Sequence, residues 1–288
     1  MMPFSHILAA SVPLNAEPVW ADAPVPFAEY ITNSIVTTFI VILFVLWFAR
    51  GATRHMQMVP GQRQNLFEAL IEGLYVMLEG IVGKHMIKKT FGFFASVFIF
   101  LIFSNWFGLI PGVGSIGWGP STGGFMSVSV VEEPLLRPGS ADLNLTLGLA
   151  AVSMVLWFIW SVREVGFVGL IQHIFAPKGG MTGVLGAVLV PVFLVVGLFE
   201  LISISTRLLS LSLRLFGNIY AGENILGMMI TIGREFGLGP VGSAIASVII
   251  PIPFYVLEFG VGALQAFVFM LLCAVYVQLT TTHEEGSH

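Results

Sequence analysis

Residues 181 to 233 read MTGVLGAVLVPVFLVVGLFELISISTRLLSLSLRLFGNIYAGENILGMMITIG. The run is apolar for about fifty residues, yet it carries Glu200, Arg207, Arg214 and Glu223. At about 1.5 Å per residue a helix of that length would extend about 75 Å, more than twice the ~30 Å of hydrocarbon in a bilayer. It must fold back on itself or cross strongly tilted. A hairpin would want a polar turn near the middle, whereas the centre, LISISTRLLSLSLRLFGN, has good helix formers and no proline; one long tilted helix is the expected form, although periodicity alone does not decide it. The run 241 to 282 is also overlong, with Glu258 as its only charge and Pro251 and Pro253 expected to bend its start.

The rest of the chain fits a membrane environment. Of 288 residues, 56% are hydrophobic and 10% charged, against ~25% charged in an average soluble domain. Mean hydropathy is +0.93. A water-soluble fold is excluded, as are a disordered chain and a disulfide scaffold: apolar residues dominate and Cys273 is the only cysteine. A net charge of -4 argues against a nucleic-acid partner. Unbroken apolar runs, rather than alternating ones, exclude a transmembrane barrel. The expected fold is all-α and polytopic, a single membrane domain over 31–282 with about five crossings, at 31–49, 91–110, 143–162, 181–233 and 241–282.

Orientation follows from the basic residues. Arg50, Arg54, Arg63, Lys84, Lys88 and Lys89 are half of the 12 Lys and Arg, and all lie between the first two crossings. That connection is expected on the cytoplasmic side, or its equivalent. The N-terminal tail, 1–30, and the segment 111–142, whose only basic residue is Arg137, then lie on the outer side. The C-terminal tail, 283–288, returns to the inner side. Within the basic connection, residues 64–82 place Glu68, Glu72 and Glu79 on one stripe, as in an in-plane amphipathic helix. The start, MMPFSHILAA, lacks a basic n-region, so neither a signal nor a transit peptide is expected. This favours a bacterial plasma membrane over a mitochondrial inner membrane or a thylakoid.

Enzyme chemistry is not visible. The chain has no GxxxxGK loop, HExxH, cysteine pair or GxSxG elbow. His6, His55, His85, His173, His283 and His288 all lie outside the middles of the spans, which disfavours axial haem ligation. Neither a metal nor a cofactor is expected, and Cys273 reads as packing.

Charge within the spans is what stands out. Ionisable residues at membrane depth are costly and by default mark ion or proton routes. Glu200, Arg207 and Arg214 recur every seven residues near one helical stripe, with Asn218 one turn further on. Glu223, nine residues past Arg214, turns through about 900° and points to nearly the opposite side. Plainer readings stand beside these. Arg214 could form a structural salt bridge with Glu223 or Glu258, Arg207 could reach the interface, and Glu200 could simply neutralise Arg207. Gln265 shares a stripe with Glu258 and could hydrogen-bond a neighbouring helix. Gly217, Gly222 and Gly227 would allow another helix to come close.

The strings SLSLRLFGNIYAGE at 210–223 and ALQAFVFMLLCAVYV at 263–277 resemble subunit a of F-type ATP synthases. PGQRQNLFEALIEG at 60–73, NWFGLIPG at 105–112 and SADLNLTLGLA at 140–150 follow in the family's order, so that the resemblance covers about residues 30–282. It implies a stator subunit of the Fo motor with two long, inclined C-terminal helices beside a ring of c subunits. Peripheral-stalk b subunits, the remainder of the F1Fo complex and membrane lipid are the other implied partners. Arg214 matches the family's essential arginine, and Asn218 and Gln265 match polar neighbours of that contact. Glu223 and Glu258 match acid or histidine positions on the outer half-channel. Glu200 matches an acid of the other half-channel, and Arg207 a position that is often basic. Members differ in which of the Glu223 and Glu258 positions holds the acid; here both do. The alternative, a stand-alone secondary transporter or channel, would be expected to show paired broken helices or an inverted repeat, and neither is evident.

Overall fold

The computed structural model describes residues 16, 18, 31–54, 57, 61–110, 113, 117–121, 131–175 and 184–281. Its helices are α1 (Asn33–Thr53), α2 (Gln62–Gly108), α3 (Leu143–Phe175), α4 (Val184–Glu235), α5 (Gly239–Ile249) and α6 (Ile252–Thr281). Between α2 and α3 lie a two-stranded antiparallel hairpin, β1 (Gly117–Ser121) with β2 (Val131–Pro134), and a 3-10 turn at Gly139–Ala141. Five helical stretches are long and apolar enough to cross a membrane: Asn33–Thr53, Gln64–Gly108, Leu143–Gln172, Pro191–Gly233 and Gly239–Thr281. The polytopic all-α reading holds, with the small hairpin as an addition that the sequence did not announce. The N-terminal tail apart from residues 16 and 18, the C-terminal tail, and His6, His55, His283 and His288 lie outside the described residues.

The overlong run is a single helix. α4 continues for 52 residues with Pro191 inside it, about 78 Å at 1.5 Å per residue. The last run breaks where its prolines predict, between Ile249 and Ile252, because proline lacks an N–H and its ring clashes with the carbonyl four residues back. In α2 the acidic stretch and the following crossing form one element bent at Gly83, whose φ of 80° and ψ of 162° are non-helical. α3 bends the same way at Gly166 (φ 77°, ψ 159°). Such a φ is open to glycine at little cost and strained for other residues. The two bends are tied together by charge: Lys89 pairs with Glu164, and His85 Nε2 lies 3.2 Å from Glu164 Oε2.

Packing gathers the helices around α6. The core takes Leu78, Phe94 and Leu101 from α2, Trp157 and Trp160 from α3, Leu211, Leu215 and Ile219 from α4, and Phe269 and Met270 from α6. Ala266 and Ala274 are fully buried on α6, and small residues at such positions let helix backbones approach. Hydrogen bonds pin the contacts. The Trp157 indole N–H donates to the Tyr276 carbonyl at 2.8 Å, and the Ser161 and Thr280 hydroxyls meet at 2.9 Å. By contrast the first half of α4 leaves Leu194, Leu198, Phe199 and Ile202 exposed, as expected of a surface that meets lipid or another subunit.

Candidate ion-path residues

On α4 the inward stripe is Leu211, Leu215 and Ile219, all buried. The helical period turns Arg214 away from it, and Arg214 is exposed. Its neighbours on the outward face are small: Ser210 and Ala221 are exposed and Gly217 is half-buried. Among the described residues Arg214 makes no ion pair and no side-chain hydrogen bond. A structural salt bridge with Glu223 or Glu258, the plain alternative, is not formed. Asn218, one turn further along, is half-buried.

Glu223 faces the other way, as its nine-residue offset requires, and its partner is unexpected. Arg137, from the connection between α2 and α3, places Nε 3.6 Å from Glu223 Oε2. Arg137 is only 2% exposed and is the bulkiest of the fully buried side chains. The segment that carries it is wedged against α1: the Arg137 backbone N–H donates to Thr37 Oγ1 at 3.1 Å, and Ser34 Oγ donates to Asp142 Oδ2 at 2.7 Å.

Glu258 reaches α4 from the opposite helix. It is 8% exposed on α6, and its carboxyl group occupies the space that a Cβ on Gly222 would need. Gly222 therefore serves close approach, and since Glu223 is the next residue, both acids belong to the same turn of α4. α6 is held in register here by α2. The Asn105 side-chain amide donates to the Gly262 carbonyl at 2.8 Å, and the Trp106 indole N–H donates to the Phe259 carbonyl at 3.1 Å. Trp106 also stacks on Phe259, with ring centroids 4.3 Å apart and planes 11° apart. Gln265 continues the buried stripe of Glu258 and Gly262.

Glu200 and Arg207 pair with each other, Arg207 Nη2 lying 3.4 Å from Glu200 Oε1. The Arg207 guanidinium also sits 5.3 Å from the Tyr276 ring centroid on α6, within cation–π range. The structure thus brings Glu258 to α4 and Glu200 to Arg207 while leaving Arg214 apart. Sequence reasoning missed Arg137, Asn105 and Trp106. Arg137 was visible as the lone base of segment 111–142, and Asn105 as a polar amide in a charge-free span, but no local spacing ties either to α4 or α6.

Among the described residues no group of three or more His, Cys, Asp or Glu could hold a metal ion. What the arrangement offers is a set of carboxyl groups within apolar helices and, on the outward face of α4, an arginine without an ion pair among the described residues. Comparison with known proteins points the same way. A family model described as ATP synthase A chain matches residues 33–278. An ATP synthase subunit a from Campylobacter jejuni is 33% identical over 248 residues, covering 86% of this chain and 89% of the relative. One from Citrifermentans bemidjiense is 30% identical over 260 residues, covering 90% and 92%. A relative from Propionigenium modestum, described as ATP synthase subunit a, sodium ion specific, is 29% identical over 252 residues, covering 86% and 73%. Matched along most of its length, this multi-pass membrane chain belongs to the ATP synthase subunit a family, components of the Fo sector.

Proposed function

We propose that this chain is the Fo stator subunit that supplies two offset aqueous half-channels and sets Arg214 between them, opposite the carboxylates of a rotating c ring. A single observation carries the reading: an arginine within a long apolar helix is exposed and, among the described residues, has no acidic partner. An unpaired charge at membrane depth is costly on insertion scales, so its counter-ion belongs to a neighbouring subunit. An acid on the ring is that partner.

The chemistry follows from the side chains. Arginine keeps its proton in proteins, so Arg214 cannot relay one and blocks a direct leak between the half-channels. A ring carboxylate arriving beside it is favoured in its charged form and releases its proton to the exit side. Past Arg214 it reloads from the entry side and enters lipid neutral. Translocation therefore requires rotation. Each charge crossing 100 mV contributes about 2.3 kcal/mol, so several protons are needed for one ATP. Glu223 and Glu258 serve the outer half-channel and Glu200 the inner one, with Asn218 and Gln265 as polar neighbours of the ring contact and Arg207 as the cation beside Glu200. The subunit itself is non-catalytic; ATP forms elsewhere in the F1Fo complex, to which b subunits tether it.

ATP-driven proton pumping in inverted membrane vesicles tests this reading. Arg214→Ala should reduce pumping to background, and Arg214→Lys should leave it impaired, because lysine can lose its proton when desolvated and lacks the planar fork. Wild-type pumping by Arg214→Ala would overturn the assignment.

A further inference from the structure

We infer that Arg137 is a positioning residue of the outer ion path: its guanidinium holds the Glu223 carboxyl group in place and tunes its proton exchange, making segment 135–142 a working wall of that path. The inference rests on the half-channel reading above.

Arginine on a connecting segment is ordinarily solvated, yet Arg137 is 2% exposed while the Glu223 side chain, 3.6 Å away, remains 20% exposed. The cation is sealed in, as is the carboxyl oxygen that faces it, while the Glu223 side chain as a whole keeps some exposure. A structural staple has no need of that asymmetry, but a relay group does. Among the described residues the other charges on the surrounding elements have their own places. Asp142 accepts from Ser34 Oγ at 2.7 Å and from the Asn144 backbone N–H at 2.9 Å. Glu258 places its carboxyl group against Gly222, the residue before Glu223, and the α1 side chains that meet this segment, Ser34, Thr37 and Thr38, are uncharged. Among the described residues Arg137 is therefore the cation beside Glu223. A cation beside a carboxylate favours its charged form, and taking it away leaves an acid that holds its proton too tightly for rapid exchange.

The test is potential-driven proton flux through the assembled Fo in F1-stripped vesicles, followed against proton concentration on the outer side. Arg137→Gln should lower the half-saturating proton concentration about tenfold, the lower end of what a neighbouring opposite charge does to a carboxyl group. Arg137→Lys, which keeps the charge, should stay within about threefold of wild type. In a Glu223→Gln background, Arg137→Gln should add no further change. A purely structural pair would scale the maximal flux with the amount of intact complex and leave half-saturation where it was, and that result overturns the assignment. If Arg137→Gln does not assemble, the Arg137→Gln/Glu223→Gln variant decides. Recovery of complex with the half-saturation of Glu223→Gln supports the inference; failure to recover, or a different half-saturation, refutes it. Arg214→Ala is measured alongside in ATP-driven pumping. Its survival would refute the half-channel reading as a whole, whereas its loss with an unmoved Arg137→Gln curve would refute the Arg137 role alone.

Discussion

Arg137 and Arg214 are the same residue type in opposite conditions. Arg137 comes from a connecting segment, is buried, and lies 3.6 Å from a carboxylate of its own chain. Arg214 comes from the middle of the longest helix, is exposed, and finds no acid in its own chain among the described residues. A charge that a fold pairs internally belongs to that fold; one left unpaired at membrane depth belongs to an interface. The two should therefore fail differently when truncated. Arg214→Ala should abolish pumping while the purified complex keeps its subunits and its Tm. Arg137→Ala should instead lower the stability of the subunit by about 2–3 kcal/mol, somewhat below the 3–5 kcal/mol of a fully buried pair, because the Glu223 side chain is 20% exposed. Equal losses of Tm in the two variants would erase the distinction.

The two acids sharpen the contrast from the other side of α4. Glu223 has a cation beside it, whereas Glu258 is nearly buried against Gly222 with no ion pair among the described residues. Replacing either acid by glutamine should slow flux about a hundredfold with the complex intact, since a positioned proton-transfer group contributes at least that much. Gly222→Ala tests the geometry without touching a titratable group. Its methyl group would take the space of the Glu258 carboxyl, the end of a flexible side chain that can swing aside. Flux should fall several-fold with subunit composition unchanged. Wild-type flux in Gly222→Ala would mean that the position of Glu258 does not matter.

How far these features can be read from sequence depends on their range. The single long helix follows from residues adjacent in the chain, and so does the opposite facing of Arg214 and Glu223, because a helix fixes direction by residue count alone. The break before Ile252 follows from Pro251 by the same kind of local rule. Gly83 and Gly166 do not: each is one of 32 glycines, and only the bend shows which ones need a positive φ. Arg137 and Glu223 are 86 positions apart, and Asn105 and Gly262 are 157 apart; no periodicity links residues on different elements. The hairpin at 117–134 was hidden for a related reason, since two short strands with several glycines and prolines carry little alternation.

The smallest expected effect concerns Glu200 and Arg207, for which the sequence allowed either an ion-path role or mutual neutralisation. Their contact is 3.4 Å between side chains that are 40% and 27% exposed, the kind of pair worth at most about 1 kcal/mol. Tyr276 supports Arg207 from α6, so Glu200 can be replaced without releasing the arginine. Glu200→Gln should therefore reduce pumping by only about threefold, a barrier change of under 1 kcal/mol. The second substitution distinguishes the roles. If Glu200 serves the inner half-channel, adding Arg207→Gln leaves the loss in place, because removing the cation does not restore a proton acceptor. If Glu200 only balances Arg207, the doubly neutral pair carries no uncompensated charge and pumping returns to the wild-type rate.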